Sequence, residues 1–301
     1  RKNLIINGGF DVWQRGTSFS GITNSTYTAD RWTILDSVGN NITTVTPKTT
    51  TDKYTYVEKT SGTGSGGLHQ LVEINHLIPS GTNLVISFDG THLSGTNSYR
   101  VVIQYRPNSS WSGVSSEIGT LTFVTSEGLN SLTVTTTEDM VQGDMAVKIL
   151  PNTTGNYKYG IAEVQLELGS VATDFEHRSY GEELALCQRY YYKIDGGGYT
   201  WIAEVQRHNS TGFRSVISLP VAIRDKPTIS YSNLAYWYNN GSINNGTSSI
   251  SLGYTSSSAT DITQLNIEYV PTSMSLTNNS NLSAMLSFTS AGGYLAFDAE
   301  L

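Results

Sequence analysis

The chain has 301 residues, with 18 Lys plus Arg against 25 Asp plus Glu, a net charge of −7, and 38% hydrophobic and 10% aromatic residues. That length fits two domains of roughly 100–200 residues each, and the aromatic content with few charges argues against disorder. No basic stripe supplies the footprint of nucleic-acid binding. No apolar run approaches the roughly 20 residues of a membrane helix. The single cysteine, Cys187, excludes an intrachain disulfide.

The chain opens on Arg1-Lys2-Asn3, with neither Met nor an apolar leader, and so reads as a fragment or processed product. Asn3-Leu4-Ile5-Ile6-Asn7 reads as a first strand, closed by a turn at Gly8-Gly9. Strand-length runs follow at 32–35, 54–57, 84–88, 99–105, 120–124, 131–135, 145–149 and 160–166, separated by Gly, Asn, Ser and Pro clusters. Such spacing favours a sandwich over βαβ units. Ser179-Tyr180-Gly181-Glu182 then has the Ser-x-x-Glu spacing of a capping box. Leu184, Cys187 and Tyr191 continue it as one apolar helix face, with a stop by Asp195-Gly196-Gly197-Gly198. Tyr190, Tyr191 and Tyr192 at the end of that helix read as packing between domains or subunits. Further strands are expected at 199–205, 214–219, 228–231, 247–252, 264–269 and 284–288, with a last one at the C-terminus. The expected fold is all-β: two antiparallel β-sandwich, jelly-roll-like domains, residues 1–178 and 193–301, joined by one short helix over 179–192.

Three stretches carry a resemblance. They are Asn3-Leu4-Ile5-Ile6-Asn7-Gly8-Gly9-Phe10-Asp11-Val12-Trp13-Gln14-Arg15 with Asp30-Arg31-Trp32, then Gln165-Leu166-Glu167-Leu168-Gly169 with Cys187-Gln188-Arg189-Tyr190, and last Leu219-Pro220-Val221 with Phe297-Asp298-Ala299-Glu300-Leu301. Together they resemble bacteriophage tail-fibre and receptor-binding virion proteins. The first half also resembles jelly-roll carbohydrate-binding modules. The resemblance implies host attachment through a surface polysaccharide or lipopolysaccharide, contact with other virion tail proteins, a homotrimer, and a place on the extracellular phage tail. It also implies a structural calcium between the first and closing strands, held by Asp11 and Glu163, with Glu standing where Asp is usual.

Read from the residues, Phe10, Trp13 and Trp32 are core aromatics, and Arg15 and Arg31 are partners for Asp11 or Asp30. His69, His76 and His92 fit no zinc spacing and read as scattered surface histidines. On a strand, Tyr236 and Tyr238 share one face and Trp237 takes the other. With Asn239 beside them, these residues are the candidate ligand-binding set, suited to stacking on sugar C–H faces. No G-x-S-x-G or H-E-x-x-H motif occurs, so no catalytic residue is assigned and the chain reads as a non-enzyme. The alternatives are a purely structural virion spacer or decoration protein, and a glycan depolymerase.

Overall fold

The computed structural model describes residues 2–36, 40–62, 66–95, 98–107, 109, 117–124, 128–152, 155–197, 200–207, 213–238, 243–245, 247–252, 262–271, 283–288 and 291–301. Two compact units divide the chain: residues 1–184 together with Leu301, and residues 185–300. The division falls inside the helix that follows the first unit's last strand.

The first unit holds β1 (Phe19–Ile22), β2 (Thr33–Asp36), β3 (Asn40–Thr46), β4 (Thr55–Gly62), β5 (Gly66–Ile74) and β6 (Asn83–Ser94). It continues with β7 (Ser98–Pro107), β8 (Glu117–Val124), β9 (Gly128–Thr135), β10 (Gly143–Pro151) and β11 (Tyr157–Leu168). One sheet runs β1-β3-β4-β11-β6-β9 and the other β2-β5-β10-β7-β8, with every pairing antiparallel. Alternation explains the layering. In β9, buried Leu132 and Val134 alternate with exposed Ser131, Thr133 and Thr135, so one face meets the core and the other water. The core between the sheets includes Leu68, Ile86, Ile103, Val147 and Val164, with Phe10 stacked on Trp32 at 5.0 Å.

The first expected strand is a correction. Residues 3–7 are not a strand, although Leu4 N–H donates to Leu166 O at 2.7 Å. Side chains take the place of the ladder here. Asn3 Oδ1 accepts from Ile5 N–H and Leu166 N–H, and Gln70 both donates to Ile6 O and accepts from Ile6 N–H. Buried backbone groups must find partners, and side-chain amides satisfy these.

Arg178 ties this opening to the unit's exit. Its guanidinium donates to Asn3 O at 2.5 Å, Ile5 O at 3.1 Å, Glu176 Oε2 at 3.1 Å and both oxygens of Glu183. Glu176 accepts in turn from Asn3 N–H, and Glu183 from Asn7 N–H.

The helix α1 spans Tyr180–Gln188, nine residues. The capping box forms as read: Ser179 N–H and Oγ donate to Glu182 Oε2, and Glu182 N–H donates back to Ser179 Oγ. Its far end is a second correction. The helix stops at Gln188, and Tyr191 opens a strand instead of closing the apolar face. Tyr191 and Tyr192 are held by strand pairing, and Tyr190 O accepts from Ala299 N–H, all within the second unit.

That unit comprises β12 (Tyr191–Gly197), β13 (Trp201–Arg207), β14 (Phe213–Ile223), β15 (Thr228–Ser232) and β16 (Leu234–Tyr238). It continues with β17 (Ile243–Asn245), β18 (Thr247–Leu252), β19 (Ile262–Pro271), β20 (Ser283–Phe288) and β21 (Ala291–Asp298). The sheets run β12-β21-β15 and β17-β16-β20-β13-β14-β19-β18, again antiparallel. Gly196 and Gly197, read from sequence as helix breakers, lie in β12. Gly196 stands opposite Gly293, and a Cβ on either would strike the Phe288 ring, at 2.1 Å and 2.7 Å. The two glycines form a slot for a core aromatic. Pro220 sits within β14 where pairing to β19 is interrupted between Ser218 and Ile223, as a residue without N–H requires. The described chain is thus all-β, two antiparallel sandwiches with one short helix between them.

Candidate functional site

The residues that carried the resemblance are structural in the first unit. Asn7, at φ 57°, donates its Nδ2 to Val12 O and Asp30 O, and accepts at Oδ1 from Asp11 N–H and Val12 N–H. Trp32 Nε1 donates to Asn7 O at 2.9 Å. Gly8 is required because a Cβ there would lie 2.0 Å from Val164 O. Asp30 caps Gln14 and lies 3.8 Å from Arg15, whose guanidinium covers the Tyr27 ring at 4.7 Å. This knot of bonds fixes the turn at residues 30–32 and, with it, Arg31 at φ 71°.

The turn delivers Arg31 to the outward face of the five-stranded sheet, where its Nη2 donates to Leu71 O at 2.5 Å. On this face Thr33 of β2 stands opposite His69 of β5, and His69 opposite Lys148 of β10. Asp144 of β10 stands opposite Arg106 of β7 and Glu73 of β5. Strand alternation dictates the set: Leu68, Val72, Ile103, Tyr105, Met145 and Val147 point into the core, so their neighbours point out. These outward residues are unusually covered; His69 is 5% exposed, Arg106 3% and Asp144 0%.

A cavity of about 380 Å³ opens here, lined by Asn24, Tyr27, Thr33, His69, Arg106 and Lys148 among others, with every lining residue in the first unit. Its size is that of a small-ligand pocket, whose range begins near 300 Å³. Arg106 Nε lies 3.0 Å from Asp144 Oδ1, and Lys148 Nζ donates to Gln104 Oε1 at 2.7 Å. Burial, then the charges of Lys148, Arg106 and Arg31, lower the pKa of His69 to about 3. The imidazole is therefore neutral at physiological pH, and so weak a base is a poor proton acceptor. The arrangement offers hydroxyl, amide and cationic donors beside a tyrosine ring, which is equipment for recognition.

The sequence candidates fall elsewhere. Tyr236, Trp237 and Tyr238 lie in β16, one strand from the edge of the seven-stranded sheet, with Tyr236 opposite Leu286 and Asn244. Their side chains, and Asn239 altogether, lie outside the described residues. Asp11 is ion-paired to Lys48 at 2.5 Å, while Glu163, at φ 54°, sits at the irregularity of β11 between Ala162 and Gln165. Calcium takes six to eight oxygens. Among the described residues no group of three or more His, Cys, Asp or Glu able to hold a metal occurs. No helix among the described residues is long and apolar enough to cross a membrane.

His69 corrects the reading of scattered surface histidines, since it is buried in the cleft wall; His76 is exposed. Arg106 and Lys148 carry no signal in the sequence reading, and His69 reads there only as a surface histidine. Each alternates with core residues on its own strand, a trace visible locally, but their meeting depends on pairing between distant strands.

No protein-family model matches the chain, and no curated protein sequence does. Similar solved structures include a cyclase from Fischerella sp., at 13% identity and a TM-score of 0.36 over 57% of this chain and 98% of that one. Another is a family 11 carbohydrate-binding module from Clostridium thermocellum, in complex with a mixed-linked tetrasaccharide. It shows 14% identity and a TM-score of 0.33 over 52% of this chain and 99% of that one. A third is the tandem CBM22-1–CBM22-2 domain of Xyn10C from Paenibacillus barcinonensis, at 11% identity and a TM-score of 0.31 over 94% and 95% of the two chains. At these scores the likeness carries no argument about function.

Proposed function

We propose that the chain is a non-catalytic glycan-binding protein of the bacteriophage tail-fibre type, which attaches to a host surface polysaccharide through the cleft of its first unit. The observation that carries the reading is the 380 Å³ cavity on an outward sheet face, walled by Tyr27 and by hydroxyl, amide and cationic groups. Sugars are recognised by that pairing of an aromatic ring with polar donors. The tail-fibre part rests on the sequence resemblance at residues 3–15, 165–169 and 297–301. Recognition is preferred to hydrolysis because no Asp or Glu is among the residues lining the cavity, and Asp144, opposite Arg106 on the same sheet face, is engaged by that arginine. A glycosidase needs a second carboxyl group placed across the substrate.

The test is adsorption of the purified chain to a glycan array and to host cells, beside a Tyr27→Ala variant whose melting temperature matches the parent. Loss of binding by at least tenfold is expected. Equal binding by the folded variant would move the site away from the cleft. The segment Tyr236, Trp237, Tyr238 and Asn239 is then tested by triple substitution of its aromatics with Ala. Release of reducing sugar from any bound glycan would overturn the non-catalytic reading.

A further inference from the structure

One row of strand pairing crosses the cleft. Tyr27 bridges Thr33, Thr33 stands opposite His69 and His69 opposite Lys148, and all four line the cavity. Neighbouring strands lie about 4.8 Å apart, so Tyr27 and Lys148 stand at the two ends of a row roughly 14 Å long. β2 is the edge strand of its sheet, and Tyr27 lies outside it on an isolated bridge. The turn fixes the backbone there: Thr28 N–H donates to Trp32 O and Ile34 N–H to Thr26 O, both at 2.9 Å. A fixed backbone still leaves a tyrosine its side-chain rotamers.

The ring meets the Arg15 guanidinium 4.7 Å from its centroid, within reach of a cation–π contact. Arg15 is itself placed. Its side chain is 11% exposed, and its Nη1 lies 3.8 Å from Oδ1 of Asp30, whose side chain is 1% exposed. Asp30 is anchored at both ends of the residue. Its carboxylate accepts from Gln14 N–H at 3.0 Å, its N–H donates to Val12 O at 3.0 Å, and its carbonyl accepts from Asn7 Nδ2 at 3.0 Å. Asn7, Gln14, Arg15 and Asp30 all belong to the stretches that carry the sequence resemblance, and none of them lines the cavity.

We propose that Arg15 is a positioning residue of the cleft: seated on Asp30, it holds the Tyr27 ring as the wall against which a sugar stacks. This rests on the glycan-binding reading and deepens it. Ordering one side chain on binding costs roughly two- to tenfold in affinity, and a ring ordered beforehand spares the complex that cost. The stretch around Arg15 and Asp30 thereby acts on recognition without touching the ligand.

The experiment uses the full chain labelled with 3-fluorotyrosine, its Tyr27 signal identified by Tyr27→Phe. Binding is measured with a panel of linear gluco-, galacto- and manno-oligosaccharides. In the parent the Tyr27 fluorine signal is expected well away from that of free fluorotyrosine, and Arg15→Ala should move it back toward that position. Arg15→Ala should also weaken oligosaccharide binding two- to tenfold, and should weaken it no further when Tyr27 is already Ala. A parent signal at the free position would overturn the proposal, and this reading needs no variant to fold. So would a Tyr27 signal that Arg15→Ala leaves in place. An equal loss from Arg15→Ala with and without the Tyr27 ring would show that Arg15 acts through the fold at large, and would overturn it too. Binding of no oligosaccharide by the parent would overturn the glycan reading alone, while the fluorine signal still decides whether Arg15 holds the ring.

Discussion

Arg178 concentrates in one guanidinium the contacts that would otherwise need several residues: two backbone carbonyls and two carboxylates, with its side chain 7% exposed. Removing it leaves Glu183 buried without its cation and two carbonyls without their donor. Arg178→Ala is expected to lower stability by about 2–4 kcal/mol, below the full range for a buried pair because Glu176 is partly exposed. Urea unfolding measures this, and a loss under ~1 kcal/mol would contradict it. His69 gives a second residue-scale expectation. Its folded-state value, about 3, lies below the ordinary 6.5, so the folded chain refuses a proton that the unfolded chain accepts. Stability is full above pH 6.5 and falls by about 1.4 kcal/mol per unit as pH drops toward 3. Burial raises Glu167 and Glu176, but hydrogen bonds, from Thr173 and from Asn3 and Arg178 respectively, lower them further than burial raises them. Their contribution is therefore lost only below the ordinary carboxylate value of 4.5. Between pH 6.5 and 5 the His69 effect stands apart from theirs, and His69→Gln should flatten the slope there by one proton's worth.

At the scale of elements, the Phe288 slot and the capping box make opposite demands. Gly196→Ala places a Cβ inside the ring of Phe288 and is expected to cost about 1–3 kcal/mol. In the double substitution with Phe288→Leu the costs should not add, because the two share one contact. Ser179→Ala removes only a cap and should cost about 1 kcal/mol, read as a lower midpoint with an unchanged denaturant slope. Both elements also show what the sequence makes legible. The cap was readable because Ser179 and Glu182 lie within one turn. The helix end was not: Tyr191 continues a helical apolar spacing, while its true partner is Asp298 of β21, more than a hundred residues away. Leu4-Ile5-Ile6 reads as a strand because an apolar run carries no trace of the Asn3 and Gln70 side chains that satisfy its backbone. Strands such as β9 and β10 were readable because alternation is local. The cleft was not, since His69, Arg106 and Lys148 meet only through register.

At the scale of the whole molecule, the proposal of a tail-fibre protein carries an assembly with it. Sedimentation at micromolar concentration is expected to give a species near three times the 32.8 kDa chain. A single species at the chain mass would contradict the trimer for this chain without touching the cleft. Several weak sites on one assembly would bind cells through effective concentration. The clamp at Arg178 has a mechanical meaning as well. The backbone near Asn3 and the backbone near Arg178 are fastened side by side, so a pull between residue 2 and α1 is met by that fastening before it reaches any β-ladder. The sandwich hangs beside the line of tension, shielded from shear until the clamp parts. Under the tail-fibre proposal, that suits a tether stretched between a moving particle and a surface.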